Sequence, residues 1–468
     1  MQPDPHHALI RFGLGRRAGE ALPRDPVGWL QAQIDGPDPA RFADPPSTEK
    51  GLRADIEDQK AKHDMAAPAM AGQDMAAPSM SGPAGNGPNR TGPASPPSAV
   101  GTLFRTEMDA LLDHALTTEA GFRERLVWFW ANHFTVSHRR GPCIAVIGAF
   151  VQEAIRPHVT GYFVDMLLAV MRHPGMLLFL DNTQSIGPAS PFMQTGARDR
   201  SGAAPPRGLN ENLARECLEL HTISPAAGYT QADVTNFARI LTGWSIDFTT
   251  NPPGFRFRPY WHEPGTIRVL GREFPPGEEG GRAALMFLAE HPATHRHLAG
   301  TLARHFIADD PPPAAVEAVA AALRASGGNL ASASRALVAC PNAWRPLTKL
   351  RRPQDFVVAT LRALDLPPDL RPKAQAVLTG LGQGMFNAPA PNGWSDMAEA
   401  WAAPEAMLRR VDWAFALARR ADTADPEAIA EATLGPLLGS ETAAAMRNAG
   451  SRRDALALLL ASPEFQRR

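Results

Sequence analysis

Residues 208–244 read GLNENLARECLELHTISPAAGYTQADVTNFARILTGW, two helical periodicities joined by a short glycine-containing loop. In the first, Asn210 can cap a helix running to about His221, because its side-chain oxygen takes up an orphan amide of the first turn. Glu211 then sits where the positive end of the helix dipole favours a carboxylate. At about 100° per residue, Asn212, Arg215, Glu216 and Glu219 share one arc, while Leu213, Cys217, Leu218 and Leu220 take the other side. In the second, Thr230 is an N-cap with Asp233 at the capping-box position, and Val234, Phe237, Ile240 and Leu241 form the apolar face. Two helices joined so closely pack antiparallel, which turns Arg239 and Trp244 toward the first.

The polar arc has two readings. One is a solvated face of Arg–Glu pairs at helical spacing. The other takes Asn212, Glu216 and Glu219, one turn apart, as carboxylates do when two of them hold a divalent metal or share a proton.

Upstream, FRERLVWFWANHFTVSHRR (122–140) carries a bulky helical stripe of Leu126, Val127, Trp130 and Phe134, closed by Asn132 and His133. A histidine in that setting is either hydrogen-bonded in the core or a functional ligand. Amphipathic helices follow at 144–157 and 162–171, and another begins at His173-Pro174 and ends at Leu180-Asp181-Asn182. The polar, Gly- and Pro-rich loop from there to Arg207 reads as a lid over 182–191 and as disorder over 195–206.

Downstream the period changes. FRFRPYWHEPGTIRVLGREF (255–274) alternates apolar and polar residues on both sides of a His-Glu-Pro-Gly turn, the pattern of a small β-hairpin. His262 would stand at its tip, exposed or reaching into the polar site. From Gly281 onward the pattern is helical again. HPATHRHLAGTLARHF (291–306) holds four histidines, but His295 and His297 diverge by about 200° on a helix, so the group reads as structural.

The NENLARECLELHT and GYTQADVTNFARILTGW segments resemble the signature of a large bacterial family called domain of unknown function 1800. The resemblance extends to IRFGLGRRAGE, RERLVWFWANHFTVS, MLLAVMRHPGMLLFLDN, HPATHRHLAGTLARHFIADDPPP and PNGWSDMAEAW, and so covers nearly the whole chain. It implies a predominantly helical protein, often encoded beside a sulfatase-like protein of the domain of unknown function 1501 family. It brings no established activity.

A formal net charge of -1 argues against a general nucleic-acid or anionic-membrane binder. Of the 47 basic residues only five are lysine, a coding bias that makes any single arginine weak evidence for phosphate binding. The three cysteines are far apart and suggest neither a disulfide framework nor a zinc site. No apolar run is long enough to span a bilayer, and the Arg16-Arg17 pair is followed by no hydrophobic export region. The sequence as given therefore reads as cytoplasmic, or as periplasmic if its start is mis-assigned or the chain is co-exported. Walker, Rossmann, HExxH and GxSxG signatures are missing.

After a polar helix at 48–62, residues 63–97 are of low complexity. The near-repeat DMAAPAMAGQ and DMAAPSMSGP spaces Met65, Met70, Met75 and Met80 five apart. Thioether sulfur suits Cu(I), so the tract is either a copper-collecting segment or an inert insertion.

These readings predict an all-α protein of about fifteen helices with one β-hairpin insertion. They divide the chain into a helical 1–58, a disordered 59–99, a central 100–280 and a helical 281–468 packed as one unit with the centre. The functional expectation is a metal-dependent or acid–base enzyme. Glu216, Glu219, Arg215, His133 and His221 would be its catalytic candidates, with Asn212, Arg239 and His262 as binding residues and a divalent metal on Glu216 and Glu219. The alternatives are an escort or scaffold for the sulfatase-like partner and, third, copper binding by the methionine tract.

Overall fold

Prolines set much of the helical punctuation. Pro26, Pro292, Pro353, Pro404 and Pro426 each open a helix at its first turn, where a missing N–H costs nothing and the fixed φ is already helical. The computed structural model describes residues 3–71, 98–195, 208–367, 369–421 and 423–468, and in them 21 α-helices. That exceeds the expected fifteen because proline and glycine cut the apolar periodicities into short pieces. No helix among the described residues is long and apolar enough to cross a membrane.

Two hydrophobic clusters hold these helices. The larger is aromatic at its centre, with Phe12, Phe122, Trp130, Phe134 and Phe163 all at most 1% exposed, and elements on both sides of residue 281 build it. The smaller gathers Phe356, Leu417, Leu456 and Phe465 from the C-terminal helices. The helices Pro5–Arg11 and Ala99–Thr117 join the two, since Ala8 and Met108 belong to the first cluster and Ile10 and Leu112 to the second.

The arginine excess is used inside the fold. Arg11 donates to the carbonyls of Phe306, Ile307 and Arg345, and Arg362 to those of Gly15, Ala115, Leu116 and Thr118. Both guanidiniums thus satisfy carbonyls that the ends of Pro292–Phe306 and Ala99–Thr117 leave without intrahelical partners, where a cation also meets the negative end of the dipole. Arg16 and Arg17 likewise bond the carbonyls of Glu20, Ala432 and Thr117.

The β-structure departs from expectation in its pairing. Strand β1 (Trp244–Asp247) pairs antiparallel with β2 (Gly254–Phe257), and β3 (Ile267–Val269) with β4 (Arg272–Phe274). The His-Glu-Pro-Gly segment links two hairpins rather than forming the tip of one. The second hairpin turns on Leu270 and Gly271, both at positive φ, as a two-residue turn with the twist of its strands requires.

The polar helix predicted for 48–62 continues to Ala71. Met75 and Met80, and the side chains of Met65 and Met70, lie outside the described residues, as does the segment 196–207. The expected lid at 182–191 is packed down. Gly187 N donates to Trp261 O, Ala189 N to the Glu263 carboxylate, and Ile186 and Ser190 are fully buried.

Candidate functional site

The motif helix begins as expected and then changes its winding. Asn212–Glu216 is α-helical, and Cys217–His221 is a π-helical turn. Asn210 takes up an orphan amide of the first turn, as expected, its Oδ1 accepting from Asn212 N at 2.8 Å, and its own amide donates to Asp181 O at 2.7 Å, so it also ties the helix start to the Leu180-Asp181-Asn182 turn. Asn182, 1% exposed, in turn donates to the carbonyls of Leu241 and Trp244.

The following helix, Gln231–Ile240, has the predicted capping box of Thr230 and Asp233, and its apolar face is buried. The first-turn carboxylate of Glu211 is the joint between the two helices. It accepts from Thr235 Oγ1 at 2.6 Å, Gln231 Nε2 at 2.8 Å and Arg215 Nη2 at 3.0 Å, and these bonds hold it below the usual carboxylate range. Arg215 also donates to Gln231 Oε1, so the structure places it in the helix–helix seam.

A π turn takes one more residue per hydrogen-bonded ring than an α turn, and such turns recur at functional sites. Here it carries Glu219 off the line that Asn212 and Glu216 share. It also ends in carbonyls that two histidines satisfy: His297 Nε2 donates to Leu220 O at 2.9 Å and His133 Nε2 to His221 O at 3.2 Å. The rings of His221 and His297 lie 6.0 and 6.1 Å from that of His133. Burial, reinforced by His297, pushes His221 down to about 3, and burial with its two histidine neighbours holds His133 well below its ordinary value. All three are neutral at physiological pH; His133 and His297 support the end of the motif helix, while both ring nitrogens of the buried His221 lack a hydrogen-bond partner among the described residues.

Asn212 and Glu216 open onto a cleft of about 270 Å³. Ser137, Arg139 and Arg140, Phe179 and Leu180, and the turn at Ala388–Pro391 line it as well. Each wall is fixed by backbone bonds. Ser137 Oγ donates to Ala388 O at 2.8 Å, and Arg139 Nε to Asn387 O at 3.0 Å. Asn132 closes the corner by bonding both the amide and the carbonyl of Trp394, at 2.8 and 2.9 Å. Gly393 lies at φ +72, where a Cβ would stand 2.5 Å from Asn132 O, so the Asn-Gly-Trp loop needs glycine there. Segments far apart in sequence, 137–140, 179–180, 212–216 and 388–391, thus converge on one opening.

Glu216 is the cleft's one acidic side chain, half-buried and without a hydrogen-bond partner among the described residues. Burial first, and Glu219 second, raise it above the usual carboxylate range, against the opposing pull of Arg215. Arg140 pairs with Asp181 at 2.8 Å across an exposed edge. Among the described residues no group of three or more His, Cys, Asp or Glu side chains is disposed to hold a metal ion.

The other expected site residues lie elsewhere. Arg239 stays on its own helix, donating to Asn236 Oδ1 at 3.3 Å, and Trp244 is buried edge-on against Phe255. His262 spends both ring nitrogens on the backbone: Nδ1 donates to Thr242 O at 3.0 Å, and Nε2 accepts from Gly277 N at 2.8 Å. Sequence reading missed Ser137, Arg139 and Arg140. The one available signal was an arginine pair separated from the Asn-His-Phe segment by four residues, masked by the abundance of arginine.

The fold and the cleft define a multi-helical protein in which one acidic group and two arginines line a cleft at a junction of four segments. The chain belongs to the family described as Protein of unknown function (DUF1800), whose profile matches residues 7–467. No curated protein matches the chain, and no solved structure does either.

Proposed function

We propose that this protein is an acid–base enzyme acting on a small, oxyanion-bearing substrate held in the cleft beside Asn212 and Glu216. The observation that carries this reading is the unpartnered, half-buried Glu216 sharing a cleft with Arg139 and Arg140. Guanidiniums present planar pairs of N–H donors that suit carboxylate, phosphate or sulfate. A carboxyl group whose proton affinity is raised by burial exchanges protons closer to neutral pH than an ordinary one, as a general acid or base must. Asn212, one turn before Glu216, adds an amide that can orient the bound group.

Proton transfer is better supported than the metal expected on Glu216 and Glu219. The cleft offers one carboxylate, and the π turn shifts Glu219 out of its lining. His133 and His297 support the helix end in this reading, and Arg215 positions the helix pair.

The test is calorimetric titration with inorganic phosphate, sulfate and citrate over a range of pH. Wild type is expected to bind at least one of them, with a pH-dependent step above the ordinary carboxylate range. Glu216→Gln should melt with the wild type and lose that step, while Arg139→Ala with Arg140→Ala should weaken binding at least tenfold. An unchanged pH profile in Glu216→Gln removes the proposal. A wild-type protein that binds none of these anions but copurifies with a stoichiometric partner favours the escort reading, and a sulfatase-like protein of the domain of unknown function 1501 family is then the first to look for.

A further inference from the structure

We propose that a second groove, along the helix Pro292–Phe306, docks an extended acidic peptide segment. The groove encloses about 400 Å³ and lies beyond the far end of the motif helix, where the chain leaves the π turn at His221. One wall is a single face of the helix: Ala293, Arg296 and His297, Gly300 and Thr301, and Arg304 follow one another at turn spacing. The other wall is the loop after the π turn, with Ile223, Ser224 and Ala227.

Three features point to a ligand and to its class. First, the lining contains two exposed arginines and no acidic residue, and among the described residues neither Arg296 nor Arg304 makes an ion pair. These two border a concave bed of small residues that leaves room for a main chain. Second, Ser224 is held at φ 61 and ψ 164, a backbone region essentially reserved for glycine, so the groove's rim stores strain of the kind that gathers at ligand-binding segments. Third, the dimensions fit. Arg296 and Arg304 are eight residues apart, about 12 Å along a helix. An extended peptide advances about 3.3 Å per residue and presents alternate side chains on one face, so acidic residues four apart lie about 13 Å from each other on the same side. No Phe, Tyr or Trp lines the groove, which leaves nucleic-acid bases without a broad stacking platform.

The two sites are joined through His297, which lines the groove and donates to Leu220 O at the end of the helix that carries Glu216. The proposal does not depend on the chemistry assigned to that cleft.

The experiment is fluorescence anisotropy of a labelled pentapeptide, Glu-Thr-Val-Thr-Glu, with the full-length protein. Saturable binding that weakens with salt is expected, as is a loss of at least tenfold in the double variant Arg296→Glu, Arg304→Glu. Both side chains are exposed, so an unchanged melting temperature in that variant assigns the loss to the groove. A peptide with its acidic residues two apart should bind at least threefold more weakly. The Arg139→Ala, Arg140→Ala variant should bind the pentapeptide as wild type does, which separates this site from the cleft. Binding that survives the charge reversal, no binding by wild type, or displacement of the peptide by a single-stranded oligonucleotide of equal charge overturns the proposal.

Discussion

Replacing Asp355 by asparagine is expected to destabilise the protein by about 3–5 kcal/mol at neutral pH, the cost of removing one partner from a buried ion cluster. Asp355 is 2% exposed and faces three guanidiniums: Arg125 Nη1 at 2.9 Å, Arg468 Nε at 3.4 Å and Arg352 Nε at 3.6 Å. Each of those arginines is itself at most 3% exposed, so none can turn to water when the carboxylate is removed. Burial alone would raise the Asp355 carboxyl, but Arg125, Arg468 and Arg352 override it and hold it well below the usual range. A carboxylate depressed in the folded state contributes stability that is present above its unfolded value and lost as the pH falls through its folded one. The gap between wild type and Asp355→Asn, read by urea unfolding, should therefore be full at pH 7 and narrow toward pH 3. The neighbouring Asp396 does not replace it, being engaged by His305 Nδ1 at 2.7 Å and Arg352 Nη1 at 3.4 Å. A loss below about 1 kcal/mol would mean that the cluster is solvated, as exposed pairs are.

That cluster also shows where sequence reading runs out. Helical faces were legible because burial and periodicity are local: Leu126, Val127, Trp130 and Phe134 are all buried as one stripe, and Thr230 with Asp233 forms the predicted capping box. The all-α class followed from many such stripes. Long-range polar partners leave no periodic trace. Arginine looked like compositional bias, yet Arg11, Arg125, Arg362 and Arg468 are interior residues whose partners lie more than a hundred positions away. The same gap hid half of the candidate site. Asn212 and Glu216 stand out on a helical wheel, whereas Arg139 and Arg140 join them only because Asn132 clamps the Trp394 loop and Asn210 fixes the turn at Asp181. A wheel drawn at uniform pitch also misplaces Glu219, since nothing in Cys217–His221 announces a π turn. The hairpin was misregistered for a related reason: alternation marks a strand but does not name its partner, and Leu270-Gly271 is a weaker signal for a two-residue turn than Asn-Gly.

Glutamine at position 107 should make the protein more stable at pH 8 and leave it nearly unchanged at pH 4. Glu107 lies on the Ala99–Thr117 helix, 5% exposed, with Oε2 buried and unpartnered among the described residues. Its carboxyl fills the space beside Gly148, where a Cβ would stand 2.2 Å from Oε2. The nearest compensating cation, Lys50, is engaged by Asp44. Burial above all, with Asp44 and Glu153 adding to it and Lys50 opposing, pushes Glu107 up to about 7. With the folded value above the unfolded one, the native state holds the extra proton between about pH 4.5 and 7, and stability falls as the pH rises through that window. Above it the ionised group costs about 3 kcal/mol, from a little over two pKa units at 1.36 kcal/mol each. Glutamine has the shape of the protonated acid and cannot ionise. Urea unfolding at the two pH values should thus show Glu107→Gln gaining up to about 3 kcal/mol over wild type at pH 8 and less than about 0.5 kcal/mol at pH 4. If the variant is instead less stable at pH 8, Glu107 is ionised and bound to Lys50, and the loop at 44–50 is held to this helix by a charge pair rather than packed against a neutral acid.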